Sequence, residues 1–448
     1  NGTRDTTMNL TFDGVSATTN RWAFVAMFPS LDAIQEFKVQ TGNYTAEYGG
    51  NAGANVNVQL RSGTNALHGS LYEFLRNDKI DARNFFRPKQ FSKDALRRNQ
   101  FGAVVSGPAV KDKTFFMGGW ESQRDIREAA GTNIVLTPAQ RRGDFSAVSG
   151  RVTDPFSGDA FPNNTIPTSR LNPVSVRLAD QYLPLPNQAG AVNYAFVTQP
   201  TINWDQALTR WDHRFSDRDQ ISGHYMLQSY RRPFTGAIPV FKSESKYLNQ
   251  NVSLQHVHTF TATRLNEFRF GYHRGYRTAT NPRKETDFKA SDLGIIGLRQ
   301  GGPDGRELSK REAGFPSIGI SGFLGMGESG GSDFDFTRTF QFVDNFSIFK
   351  GNHSLKMGAD IQRRLSDANT INWPYGQINF TSDLSGNAAA AYMLGLPRET
   401  LTPEGQPVSA VRQWRMFFYF QDDWKVHPKL TLNLGLRYDL LAMPHDIN

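Results

Sequence analysis

"WRMFFYFQDDWKVHPKLTLNLGLRYDL", Trp414 to Leu440, alternates in two halves about the turn His427-Pro428-Lys429. Before the turn, Trp414, Met416, Phe418, Phe420 and Trp424 alternate with Arg415, Gln421, Asp423 and Lys425. After it, Leu430, Leu432, Leu434, Leu436, Tyr438 and Leu440 alternate with Thr431, Asn433, Gly435, Arg437 and Asp439. Successive side chains of a strand point to opposite faces, so this spacing predicts an antiparallel hairpin with one wholly apolar and one wholly polar face.

The same unit recurs upstream. Phe340 to Ile348 turns at Lys350-Gly351-Asn352-His353 into Leu355 to Ile361, with Asp344 interrupting the apolar face. Gln250 to Phe260 turns near Thr261-Ala262-Thr263 into Phe268 to Tyr276, and Trp204 to Phe215 turns at Ser216-Asp217-Arg218-Asp219 into Ile221 to Leu227. Phe101 to Val110 turns at Lys111-Asp112-Lys113 into Phe115 to Trp120. With Leu67 to Asn77 as the first, the pattern gives about eleven strands, each long enough to cross a bilayer at a tilt. Between the hairpins run long polar segments, at about 78–97, 121–203, 232–247, 278–335 and 366–411. Tight turns alternating with long loops are the signature of outer-membrane β-barrels, whose turns are periplasmic and whose loops are extracellular. Lipid offers no water to an unpaired amide, so a sheet crosses it only by closing on itself, with an apolar face toward lipid and a polar face toward the lumen.

Composition agrees. Hydrophobic residues make up only 38% of the 448, and no apolar run approaches the ~18 residues of a membrane helix, yet 34 residues are Phe. Such a chain keeps its apolar surface in rings spaced along strands. The net charge of +8 is scattered beside acids, as in "RWDHRFSDRD" (Arg210 to Asp219), which argues for solvated strand faces and against a nucleic-acid partner. Cysteine is absent, excluding disulfides and thiolate chemistry within the sequence.

Ahead of the first barrel strand lies "EYGGNAGANVNVQLRSGTN", Glu47 to Asn65, in which Ala54, Val56, Val58 and Leu60 alternate with Asn55, Asn57 and Gln59. A small, Gly- and Asn-rich sheet suits the plug that fills the lumen of a barrel of about 22 strands. Residues 1–65 are therefore read as the C-terminal part of a plug domain and 66–448 as the N-terminal part of the barrel. Gly49, Gly50, Gly53 and Gly63 are expected to supply tight turns and close backbone approach.

At this point the sequence resembles a known family. "NLTFDGV" (Asn9 to Val15), Ser30 to Asp78, and "DARNFF" (Asp81 to Phe86) resemble the end of a TonB-dependent receptor plug and the first barrel strand, of the Oar-like group. "TDPFSGDAFPNNTIPTSRLNPVSVRLADQYLPLPN" (Thr153 to Asn187) is similar to an extracellular-loop signature of that group. The resemblance implies a bacterial outer-membrane location and energised uptake. The TonB system, driven by the inner-membrane proton gradient, would pull on the plug to open a path for a ligand such as a carbohydrate, peptide or metal chelate. Each charge crossing is worth about 2.3 kcal/mol per 100 mV. The alternative is an outer-membrane structural or adhesive protein that binds surfaces or matrix through its long loops. About eleven strands is an odd count that leaves the two ends on opposite sides. The segment is thus expected to be about half of a plugged barrel, with the signal peptide, TonB box and remaining strands outside it.

Enzymatic motifs are not found: no G-x-S-x-G, H-E-x-x-H or P-loop occurs, so no catalytic residue and no cofactor is expected. His256 and His258 share a strand face, but with no third ligand evident in sequence they read as ordinary strand histidines. Gly322 to Phe336, with Asp333 and Asp335, reads as a mobile extracellular loop in preference to a calcium site. Ligand recognition is expected from the plug apex and the loops 121–203 and 278–335, without assignment to residues.

Overall fold

The computed structural model describes residues 7–19, 27–42, 44–50, 53–87, 92–280, 289–298, 314–328, 333–369, 373, 375–402 and 408–447. The chain opens with β1 (Asn9–Phe12), β2 (Val15–Ser16), β3 (Ile34–Gln40) and β4 (Asn55–Leu60), which form a small sheet in the order β2-β1-β4-β3. Then come β5 (His68–Asn77), β6 (Leu96–Val110) and β7 (Thr114–Arg127), followed by a short pair, β8 (Ala129–Asn133) and β9 (Tyr194–Thr198), flanking helix α1 (Pro173–Tyr182). Long strands resume with β10 (Thr201–Arg214), β11 (Asp219–Thr235), β12 (Lys242–Thr261) and β13 (Arg264–Thr280). After β14 (Ser317–Ile320) come β15 (Asp333–Lys350) and β16 (His353–Asn369), then β17 (Gln377–Phe380), helix α2 (Ala388–Leu394) and β18 (Glu399–Leu401). The chain closes on β19 (Val408–His427), β20 (Leu430–Leu441) and β21 (His445–Asp446).

The main sheet runs β20-β19-β16-β15-β13-β12-β11-β10-β7-β6-β5, with every neighbour antiparallel, and short β21 pairs with β19. The eleven strands of the sequence pattern thus appear in order, each paired to the next. Strand β5 and strand β20 are the two edges, so the described sheet is a curved wall and not a closed cylinder.

Three details of the sequence reading change. Long strands reach further than apolar alternation does: β7 continues through Gln123 to Arg127, and β11 and β12 run to Thr235 and from Lys242. The segment 232–247 is consequently a loop of residues 236–241 only, and the other long loops shrink to 78–95, 128–200, 281–332 and 370–407. The reason is physical: beyond the bilayer the strands stand in water, where backbone pairing persists but neither face needs to be apolar. Second, the faces of β19 are not wholly apolar and wholly polar. Phe417 and Tyr419 point inward and are buried, with the Tyr419 hydroxyl donating to Asn345 Oδ1 at 2.7 Å, while Asp422 shares the outer face and pairs with His353 at 2.8 Å. Third, the described parts of the loops are folded. Leu136, Phe145, Leu178, Ile238, Phe315 and Tyr392, drawn from four different loops, join one buried core. Both helices start on an Asn cap, Asn172 and Asn387, whose side chains accept from the amides two and three residues on. Buried Arg141 closes the far end of α1 by donating to the Ala179 and Leu183 carbonyls.

Part of the stretch Gly322 to Phe336 belongs to this folded unit, because Ile318 and Met326 bridge within its core. Residues 329–332 and the Asp333 side chain lie outside the described residues; Asp335 is in strand β15, opposite Arg277.

Candidate functional site between the small sheet and the wall

β1 and β2 are joined by Asp13-Gly14, with φ of 47° and 80°. Positive φ at both central residues is the two-residue hairpin turn that Asp-Gly favours, because its twist matches the strands it joins. The hairpin tip presents the Asp13 carboxylate to the inner face of the wall. Asp13 Oδ2 lies 2.9 Å from Arg210 Nη1 and 2.8 Å from His224 Nδ1, and its Oδ1 accepts the Leu60 amide at 3.1 Å. Arg210 also holds Asp212 at 2.8 Å, and Asp212 accepts the Ser62 hydroxyl at 2.6 Å. The group ties strands β10 and β11 to one end of the small sheet, where the β1–β2 turn and the end of β4 lie side by side.

His224 sits with Nε2 2.8 Å from Asn251 Oδ1, while Asn251 Nδ2 donates to the Ser16 carbonyl at 3.0 Å. The Ser16 carbonyl can only accept, which fixes the Asn251 amide with its oxygen toward the ring. Both ring nitrogens therefore face acceptors. Burial alone would raise the Asp13 carboxyl, but the His224 hydrogen bond and charge, then Arg210, then the Leu60 amide, outweigh it and hold the group below its ordinary value.

Further contacts run along the wall. The Ser16 amide donates to Gln341 Oε1 at 3.0 Å, the Ala46 amide to Gln421 Oε1 at 3.1 Å, and Arg437 to the Ala46 and Glu47 carbonyls at 3.1 and 2.8 Å. Lys356 pairs with Glu47. Buried inward residues of the wall such as Thr337, Thr339, Gln341 and Asn345 owe their burial to this cover, since a lumen face with nothing inside it would be wet. The exit is equally tight. A Cβ on Gly63 would lie 2.5 and 2.6 Å from the Gly107 and Phe116 carbonyl oxygens, and Asn65 exchanges hydrogen bonds with Asp112 in the β6–β7 turn. Of the other glycines read as turn formers, Gly50 adopts φ 76°. A polar cavity of about 560 Å³ remains between sheet and wall, lined in part by Asp13, Arg210, Glu267, Arg269, Asp360 and Arg364.

Sequence reasoning missed Asp13, Arg210 and His224. An Asp-Gly pair between alternating stretches was the available signal for the first; the other two are joined to it only by the register of distant strands. Register also sets Asp219 beside His256 and His258, the pair read as ordinary strand histidines.

Residues 59–448 match the family described as "Outer membrane beta barrel domain". The chain is 23% identical over 481 aligned residues to the TonB-dependent transporter Oar of Myxococcus xanthus, covering 99% of this chain and 43% of that protein. Among solved structures, the outer membrane transporter YddB from Escherichia coli superposes with a TM-score of 0.54 at 10% identity, over 97% of this chain and 48% of that one. A point mutant of the ferric enterobactin receptor PfeA from Pseudomonas aeruginosa gives 0.50 at 11% identity, over 98% of this chain and 50% of that one. The chain thus spans about half the length of these relatives. It belongs to the outer membrane beta barrel domain family of the bacterial outer membrane, and within it resembles the TonB-dependent, Oar-like receptors.

Proposed function

We propose that residues up to about 65 are the C-terminal part of a plug, that the strands from His68 onward are barrel wall, and that the whole receptor takes up a ligand through this plugged barrel. The TonB system is the proposed partner and the inner-membrane proton gradient the energy source. The observation that carries the reading is the Asp13 cluster with its neighbouring contacts: polar and ionic groups join the small sheet to the wall beside an apolar patch in which Phe12 and Leu60 share a core with Met117, Leu208 and Met226. The polar contacts can exchange for water when the sheet is pulled, which leaves the apolar patch as the part that resists release. The ligand would meet the folded loop unit and the outer end of the small sheet first; carbohydrate oligomers, peptides and metal chelates all suit a polar cavity. Adhesion through the loop unit is the competing role, but an adhesin has no use for a releasable plug.

The test is electrical. The full-length receptor lacking its plug, residues 1–65 included, is expected to form a large ohmic pore in planar bilayers, while the intact receptor stays closed. Equal conductance from both would overturn the plug assignment.

A further inference from the structure

Asp219 opens β11, and His256 and His258 lie near the end of β12. The register pairs Asp219 with His258 and Ile221 with His256, so the period of two puts all three on one face. That face also carries the exposed side chains Tyr225, Leu254 and Phe260, whereas Ser222, His224, Asn251 and Ser253 on the same strands are buried inward. The trio therefore stands on the outer rim, at the short-turn end, apart from the cluster around Asp13.

The three side chains stand close enough together for a metal ion to be seated among them. Asp219 Oδ1 lies 3.2 Å from His256 Nε2 and 2.6 Å from His258 Nδ1, and one donor atom from each residue falls within 4.8 Å of the others. Ligands held at ~2.0–2.2 Å around a tetrahedral ion are themselves roughly 3.3–3.5 Å apart, so small side-chain rotations would seat one. Outer contacts already orient the ligands. The Ser216 hydroxyl donates to Asp219 Oδ2 at 3.1 Å, fixing the carboxylate, and the His258 ring meets Phe260 edge-on at 4.4 Å. All three side chains keep about a third of their surface accessible, between 30% and 40%, so an ion can enter from the interface.

We propose that Asp219, His256 and His258 bind one divalent transition-metal ion, of the zinc, cobalt, nickel or copper class that imidazole ligands favour. Two imidazoles and one carboxylate supply three ligands and leave the remaining positions to water. Bound there, the ion clasps β11 to β12 at the turn end of the hairpin. Metal bound on the outer rim is outside any path through the lumen, so the inference stands apart from the transport reading.

The experiment uses the full-length receptor, extracted from outer membranes and stripped with chelator, and titrates it with Co²⁺ while following visible d–d absorption. His258→Ala and Asp219→Asn are each expected to lose one equivalent of bound Co²⁺, or to weaken that equivalent at least about tenfold, and Zn²⁺ should displace the wild-type signal. His353→Ala is the control, since His353 pairs with Asp422 on the same face without a second histidine; it should bind as wild type. Heat-dependent gel mobility verifies that each barrel is folded. Should Asp219→Asn fail that check, His256→Gln takes its place. The same stoichiometry and spectrum in the folded variants as in wild type would overturn the proposal.

Discussion

Asp13→Asn is expected to weaken docking of the small sheet by about 2 kcal/mol, because it removes a buried carboxylate that accepts from Arg210, His224 and the Leu60 amide and leaves Arg210 with Asp212 alone. Asparagine is the informative substitute: it tolerates the φ of 47° at this position, so the loss reports charge and not backbone strain. Arg210 and Asp13 expose only 11% and 9% of their side chains, which leaves little solvent screening to soften the change. The readout is protease susceptibility of the first 65 residues in the full-length receptor, where the variant should be cut at least tenfold faster. The effect has a defined pH dependence. A carboxyl whose folded value is depressed stabilises fully above its unfolded value of ~3.9 and loses that contribution as pH falls through the folded value. The gap between wild type and variant should therefore hold at neutral pH and close as the solution is acidified below about 4. A gap independent of pH would remove the carboxylate from the account.

Leu254→Arg is the second large effect. Leu254 is exposed on the outer face of β12, with Gly223 and Phe270 as its cross-strand neighbours and no acid opposite it. Arginine near the midplane of a barrel costs roughly 2–4 kcal/mol. Gln255, one residue on, points into the wet cavity opposite Arg269, so Gln255→Glu, which keeps an acceptor for the Ser222 hydroxyl and sets an acid beside that guanidinium, should cost less than about 0.5 kcal/mol. Urea unfolding of the receptor in lipid vesicles compares the two. Equal costs would mean that the outer face does not meet lipid.

The barrel wall was legible because its physics is local: lipid on one side and water on the other write a period of two into every strand, and tight turns separate the copies. That code located all eleven strands, including the Leu430–Leu441 strand almost to the residue. It failed where its cause stops. Above the bilayer β12 runs from Lys242 through polar residues that alternate with nothing apolar, and so its first turns looked like loop. It also failed inside the lumen, where Phe417 and Tyr419 face the small sheet and not water. The loop core was illegible for another reason. Phe145, Phe315 and Tyr392 are far apart in sequence and meet only because the wall brings their loops together. The candidate site shares that difficulty, since Asp13 and His224 are 211 positions apart and Ser16 and Gln341 325.

Whether the small sheet leaves the wall under the pull of the TonB system is decided most directly by a cysteine at Val15. That side chain is 1% exposed, pressed against Gly271 of β13, and no native cysteine within these residues competes for label. Living cells carrying Val15→Cys in the full-length receptor, growing in their native medium, are treated with a membrane-impermeant maleimide. Labelling should be several-fold higher in energised cells than in cells given a protonophore or lacking TonB; the same labelling in all three would contradict an energised, releasable plug.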